Sequence, residues 1–295
     1  MASLAVDTKV PAFDEKDAAK KNEEEIFAAL TGEQLESISV LKSKMSHDKL
    51  KRWPVAGERM ALYRFLKARD FDVDQAFTML DNHLDWRAKT YPIKKSEWVN
   101  DPFFKAGACI PNSGVDLQGR PLLVMKSGRF PVAERNLESA TRGMIAVLTE
   151  LATRYGAHSR FTVLYDRQDF DRSTNLDKDL LRNVASILSA NNPESLQNGC
   201  LYPCGLILRG IWQVVKWFFD YKTREKIVML GSPEAFFDYV PEDQLMTDIG
   251  GKNDLLWPVN SEEMWKKHIF DYFPDETVDN WQDPNYVPED AKLKA

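Results

Sequence analysis

From Asp116 to Gly231 the chain alternates short apolar runs with longer stretches of helical spacing, and this alternation restricts the fold more than any other feature. The turn DLQGRP (Asp116–Pro121) feeds the run LLVMK, and FTVLYD (Phe161–Asp166) and KIVMLG (Lys226–Gly231) are β-branched or aromatic runs of strand length. Gly199–Cys204 is a weaker strand. Between them, Met144, Val147, Leu148, Leu151 and Tyr155 repeat at helical spacing. So do Leu176, Leu180, Val184, Ile187 and Leu188, up to the stop at Asn192-Pro193. Strands alternating with helices predict βαβ units and an α/β fold with a mainly parallel sheet.

The first ninety or so residues have another rhythm. Thr31 and Gln34 stand at capping-box spacing ahead of Leu35, Ile38 and Leu41, and Asp72 and Gln75 do the same ahead of Val73, Phe77, Leu80 and Leu84. The segment 57–69 repeats Leu62, Phe65 and Leu66. These spacings predict a helical module over 26–98 behind a polar tail, 1–25, with an α/β domain over 99–256 and an acidic extension, 257–295, that carries Trp257, Trp265 and Trp281 and wraps the domain.

Charge and cysteine content exclude several classes. A net charge of -6 does not suit a nucleic-acid binder or a polybasic membrane anchor. Three cysteines, Cys109, Cys200 and Cys204, give no disulfide framework, and none of the histidines sits at zinc-site spacing to them. The reading is free thiols in a reducing compartment. No apolar run has the length of a signal peptide core or a membrane span, so the expectation is a cytoplasmic protein that touches membranes from outside. G-x-S-x-G, H-E-x-x-H, GxxxxGK[ST] and G-x-G-x-x-G are absent, which argues against an enzyme. Asp166, Asp169 and Asp171 lack the glycine and glutamate of a calcium loop and read as solvated acids at a strand end.

One stretch resists an ordinary reading. KWFFDYKTREKIVML (Lys216–Leu230) sets Trp217, Phe218 and Phe219 in a row, followed by Lys222, Thr223, Arg224 and Lys226. Ile211, Val214, Val215 and Phe218 make one helix face, and Trp212, Trp217 and Phe219 cover much of the rest. Such a helix is either buried all round or a lid with ligand on one side and lipid on the other. Arg69, four residues after Phe65, falls on the apolar stripe of its helix; it either snorkels at the helix end or clamps an anion. Lys226 shares a strand face with Val228 and Leu230, Thr223 offers a hydroxyl to an oxyanion, and Glu194 is a cap or a salt-bridge partner.

Together these residues resemble the CRAL-TRIO family of lipid-binding and lipid-transfer proteins. RFLKARDFDVDQAFTMLDNHLDWR (Arg64–Arg87) is similar to the family's N-terminal module. DLQGRP, NNPES (Asn191–Ser195), KWFFDYKTREKIVMLGS and IGGKNDL (Ile249–Leu255) are similar to successive motifs of the domain itself. The resemblance spans about Leu50 to Leu256. It implies a mixed, mostly parallel sheet flooring an apolar pocket, with a gating helix over 206–226. It also implies an inositol-phosphate site at Arg69, Glu194, Thr223 and Lys226, and a pocket and gate lined by Phe161, Val163, Tyr165, Trp212, Val215, Phe218, Phe219 and Val228. The implied ligand is phosphatidylinositol, exchanged at a membrane surface by a monomer that needs no cofactor or metal and that can serve a lipid kinase. A sterol, squalene-like or tocopherol-like cargo, or a lipid-sensing scaffold, are the rival expectations. Several positions depart from the family, among them Pro203-Cys204-Gly205, where members usually have Asn-Ala-Pro, and Leu245-Met246, where they have Leu-Pro. Asp70 stands where members often carry a basic residue. Phe161 and Val163 stand where members that hold phosphatidylcholine have hydroxyls, which makes a choline-lipid site doubtful.

Overall fold

The computed structural model describes residues 23–52, 58–91, 93, 97, 98, 100–153 and 160–254. The tail before residue 23, Tyr155 and the extension with its three tryptophans lie outside the described residues. The apolar core falls into two clusters, one drawn from Phe27 to Leu84 and one from Tyr91 to Ile249.

The first cluster is helical: α1 (Gly32–Lys44), α2 (His47–Arg52), α3 (Arg59–Ala68) and α4 (Val73–Thr90). Thr31 and Gln34 close the capping box at the start of α1, exchanging side-chain and backbone bonds. Asp72 caps α4 through the amides of Asp74 and Gln75, but the Gln75 side chain returns to the Asp72 carboxylate (2.8 Å), so this end is a simple cap. Leu62, Phe65 and Leu66 are buried on α3. The helix ends at Ala68, and Arg69 is its C-cap, half-buried rather than on the apolar stripe. The buried arginine of this segment is Arg64. Its Nε donates to Pro193 O (3.0 Å) and its Nη1 to Ala152 O (2.9 Å), which ties the helical module to the α/β domain.

The second cluster surrounds a five-stranded sheet. In chain order its elements are α5 (Pro102–Lys105), β1 (Cys109–Val115), β2 (Pro121–Lys126), α6 (Leu137–Thr153), β3 (Phe161–Asp166), α7 (Arg172–Asn175), α8 (Lys178–Ser186), β4 (Leu196–Tyr202), α9 (Leu206–Val215), α10 (Tyr221–Glu225) and β5 (Ile227–Met229). The strands lie in sequence order, with β1 antiparallel to β2 and the other pairs parallel. Crossovers of one hand, stepping always the same way, put the connecting helices on one face.

Alternation then sorts the strand residues into two sets. Leu123, Val163, Gly199 and Ile227 are partners across four strands, and so are Met125, Tyr165, Leu201 and Met229. These ladders face the helices. The opposite ladder is Val124, Leu164, Cys200 and Val228.

The structure corrects several expectations. β1 is an additional edge strand that the sequence pattern does not announce, because Pro111 and Gly114 interrupt it and a register shift lies between Pro111 and Val115. The gating segment is not one helix over 206–226. It is α9, a 3₁₀ turn (Lys216–Phe218) and the short α10. Asp166 is not a solvated acid: it is buried and pairs with Lys126 (2.8 Å), while Asp169 is exposed and Asp171 caps α7. Cys109 and Cys200 are buried free thiols and Cys204 is half-buried.

Candidate functional site

The helices stand off the sheet and enclose a cavity of about 1340 Å³ of empty space, its open mouth included. Its floor is the two inward ladders short of Met229, its far wall Met144 and Leu148 of α6 and Leu180 and Val184 of α8, and its mouth Leu208, Ile211, Trp212 and Val215 of α9, with Phe219 beyond it. Of the residues expected here, Val163, Tyr165, Trp212, Val215 and Phe219 line the cavity.

Phe161, Phe218 and Val228 do not. Phe161 is fully buried in the packed core at the start of β3, before a register shift. Val228 belongs to the opposite ladder, since it neighbours the inward Ile227 and side chains alternate. Phe218 lies in the 3₁₀ turn, where tighter winding takes it off the inner stripe of α9, and Arg182 sits over its ring (5.2 Å to the centroid). The outer surface of the gating segment is apolar and open: Leu206 is 88% exposed, Val214 58% and Trp217 68%. Val214, read as sharing a face with Ile211 and Val215, is thus outside while they line the cavity.

A second, polar pocket lies against the cavity, at the N-terminal ends of β4 and β5. Arg69, Glu194, Thr223 and Lys226 all line it, and Leu188 and Leu196 line both spaces. Lys226 Nζ donates to Glu194 Oε2 (3.2 Å), and Lys67 Nζ approaches the same oxygen (3.8 Å). Burial holds the Lys226 pKa below its ordinary value in spite of Glu194, with Arg160 and Lys67 adding to the fall. Among the described residues no carboxylate ion-pairs with Arg69, which donates to Ala68 O (3.0 Å). The charged residues that line the pocket are Arg69, Lys222 and Lys226 against Glu194 and Asp220, so positive charge is in excess.

Glu194 is held under strain. Ser195 N–H donates to Asn192 O across a turn with Pro193 second and Glu194 third, and Glu194 has φ 57°. Glycine is the unstrained residue at such a position, so the glutamate persists at a cost of ~1–3 kcal/mol. Strain of this kind collects at functional sites.

Two groups at the pocket were not foreseen. One is Lys67, which reaches Glu194 from beside it. Asp220 caps α10: it accepts from Thr223 N–H (2.9 Å) and from the Thr223 hydroxyl (2.8 Å). Its spacing three residues ahead of Thr223 is the signal that could have found it. As the hydroxyl stands, its proton is given to Asp220, and it meets an incoming oxyanion as a donor only after turning from that partner. Asp70, at the departure from the family pattern, pairs with Lys222 (2.7 Å), and Lys222 also donates to Lys67 O. The foot of the gating segment is thus tied to the end of α3.

The sequence model of the CRAL/TRIO domain matches residues 105–251, and that of the CRAL/TRIO N-terminal domain matches residues 16–82. A CRAL-TRIO domain-containing protein of Schizosaccharomyces pombe is 24% identical over 65% of this chain and 45% of its own length. A phosphatidylinositol/phosphatidylcholine transfer protein of Arabidopsis thaliana is 26% identical over 64% of this chain and 36% of its own. The match thus takes in less than half of either relative. The crystal structure of Sfh5 superposes with a TM-score of 0.52 at 17% identity, covering 77% of this chain and 84% of that one, a likeness of fold. Among the described residues no helix is long and apolar enough to cross a membrane.

Proposed function

We propose that this chain, which belongs to the CRAL/TRIO family, is a non-enzymatic lipid-binding and lipid-transfer protein that takes up phosphatidylinositol at a membrane surface. One observation carries the reading: a large apolar cavity shares the wall formed by Leu188 and Leu196 with a pocket of excess positive charge. A ligand with a greasy body and an anionic head fits that pair of spaces. Each buried CH2 of an acyl chain contributes ~0.8 kcal/mol, so the cavity supplies the affinity. Arg69 and Lys226 supply the charge for a phosphate, and Glu194 positions the lysines rather than touching lipid.

The gating segment supports exchange at a bilayer. Leu206, Val214 and Trp217 offer it an apolar outer surface, and Lys216 and Arg224 lie over the Trp217 ring (5.3 and 4.9 Å), cations suited to anionic headgroups. When α9 swings outward, the cavity opens to lipid and not to water. No covalent step is involved; the loaded protein moves its lipid or presents it to a lipid kinase.

The test is pickup from vesicles that contain phosphatidylinositol and phosphatidylcholine, by wild type and by the Thr223→Ala/Lys226→Ala double variant. We expect the phosphatidylinositol-to-phosphatidylcholine ratio of bound lipid to fall about tenfold or more in the variant, the loss of charge-assisted bonds of ~1.5–3 kcal/mol. An unchanged ratio would move the headgroup elsewhere. A sterol or isoprenoid as the lipid bound in wild type would keep the fold and overturn the cargo.

A further inference from the structure

The cavity holds a buried positive charge that the phosphatidylinositol reading leaves without a role. Arg167 follows β3, at the C-terminal end of the sheet, and lines the cavity. The polar pocket lies at the other end of the strands. Arg167 comes six residues after Phe161, so the two ends are about 20 Å apart at the rise of a strand. Arg167 is 9% exposed. Its Nη1 donates to Pro203 O (3.2 Å) and the guanidinium lies 4.7 Å from the Phe170 centroid. Its Nε is buried and has no hydrogen-bond partner, and among the described residues no carboxylate ion-pairs with it.

The neighbouring polar groups of the cavity wall do not answer that charge. Asp177 is ion-paired with Arg135, and the Asn175 amide donates to Phe130 O (3.1 Å). Burial lowers the Arg167 pKa, and the groups that oppose the fall are the Tyr165 hydroxyl and the Cys204 thiol rather than a carboxylate. A buried cation without a counter-charge is costly unless a ligand brings one. The free edge of the guanidinium, Nε–H with Nη2–H, is the side-on fork that matches two oxygens of one acidic group.

We propose that the Arg167 end of the cavity takes the acidic head of a second kind of amphiphile, a fatty carboxylate or a lipid phosphate, whose chain lies along the sheet toward Leu196. The inference rests on the cavity being a lipid cavity but not on the phosphate pocket at Arg69 and Lys226. An apolar wall with one unpaired arginine recognises a single-headed acid, in contrast to the surface pocket, which can hold a large hydrated headgroup.

The experiment uses the full chain and the fluorescent fatty acid cis-parinarate beside its methyl ester. Wild type should bind the acid at least about tenfold more tightly than the ester, as charge-assisted bonds require. In Arg167→Met that ratio should fall to near one, and Arg167→Lys, which keeps the charge and loses the fork, should fall between. Equal affinity for acid and ester in wild type, a comparison that needs no variant, would overturn the proposal. So would a ratio that survives in Arg167→Met and collapses in Thr223→Ala/Lys226→Ala, since the carboxylate would then sit in the polar pocket. Displacement of bound parinarate by oleate or by lysophosphatidate tells a carboxylate source from a phosphate source. If neither displaces it better than neutral monoolein, no acid-binding site exists at Arg167.

Discussion

The cavity and the pocket beside it share two leucines and little else. The cavity wall is made of alternate residues on four strands and one face of three helices, so its shape follows from the fold. The pocket is made of loop and helix-end residues held by special means: a C-cap at Arg69, a positive-φ turn at Glu194, an N-cap at Asp220. Burial of apolar surface is indifferent to the identity of a chain, whereas charge and hydrogen bonding discriminate heads. Under the proposed function, general affinity and selectivity thus fall to different kinds of structure.

The comparison breaks most sharply at the cavity. Val163→Trp puts a large ring into the empty space above the floor, and we expect the lipid bound per chain, counted by mass spectrometry of protein purified without detergent, to fall tenfold or more. Full occupancy in that variant would separate the cavity from lipid binding. A smaller effect belongs to the pocket. Glu194→Gln removes the counter-charge of Lys226 and Lys67. Breaking a fully buried pair costs ~3–5 kcal/mol; with the Lys226 and Lys67 side chains 23% and 39% exposed, ~1–2 kcal/mol is the expectation for the empty protein by urea unfolding. The loss should shrink in protein loaded with phosphatidylinositol, whose phosphate takes over the counter-charge. An equal loss in both forms would mean that the lysines do not meet the lipid.

The smallest effect is at Asp70. The Lys222 hydrogen bond holds its carboxyl below the ordinary value. A carboxylate with a lowered folded pKa stabilises fully above its unfolded value of ~3.9, and the contribution is lost as pH falls through the folded value. Asp70→Asn should therefore cost a few tenths of a kcal/mol near neutral pH, the ordinary size of an exposed pair, and nothing in strong acid. A difference between the two proteins that persists in acid would assign Asp70 a role other than its charge.

What the sequence made legible follows the same division. The parallel sheet and its helices were readable because periodicity of two and of 3.6 is written in apolar residues. β1 was not, since its pairing comes from β2 and not from its own pattern. Phe218 was misjudged as a cavity residue, because the winding changes at Lys216 and a uniform 100° per residue does not survive that change; Val214 was grouped with Ile211 and Val215 although even spacing from Leu208, Ile211 and Val215 already turns it outward. The four pocket residues came from resemblance of motifs; they meet in one pocket whose Pro193 carbonyl is held by Arg64, a contact across 129 positions that no local pattern contains. Arg167 was hidden for another reason. In YDRQDFD its flanking acids suggest a neutral, hydrated turn, and only the fold turns Asp166 away to Lys126 and leaves the arginine without them.

The place of α9 in the strand order has a mechanical consequence. It lies in the last crossover and delivers the chain only to β5, a three-residue edge strand that pairs with β4 alone. Swinging it outward need not unzip β1 through β4, so the sheet can act as a fixed tray and the gating segment as a hinged flap. A flap of this kind would hinge at Asp220 and Thr223, which also line the polar pocket. Under the proposed function, a headgroup that draws Thr223 away from Asp220 would loosen the very cap that anchors the flap, and arrival of cargo and travel of the flap would be mechanically geared to one another.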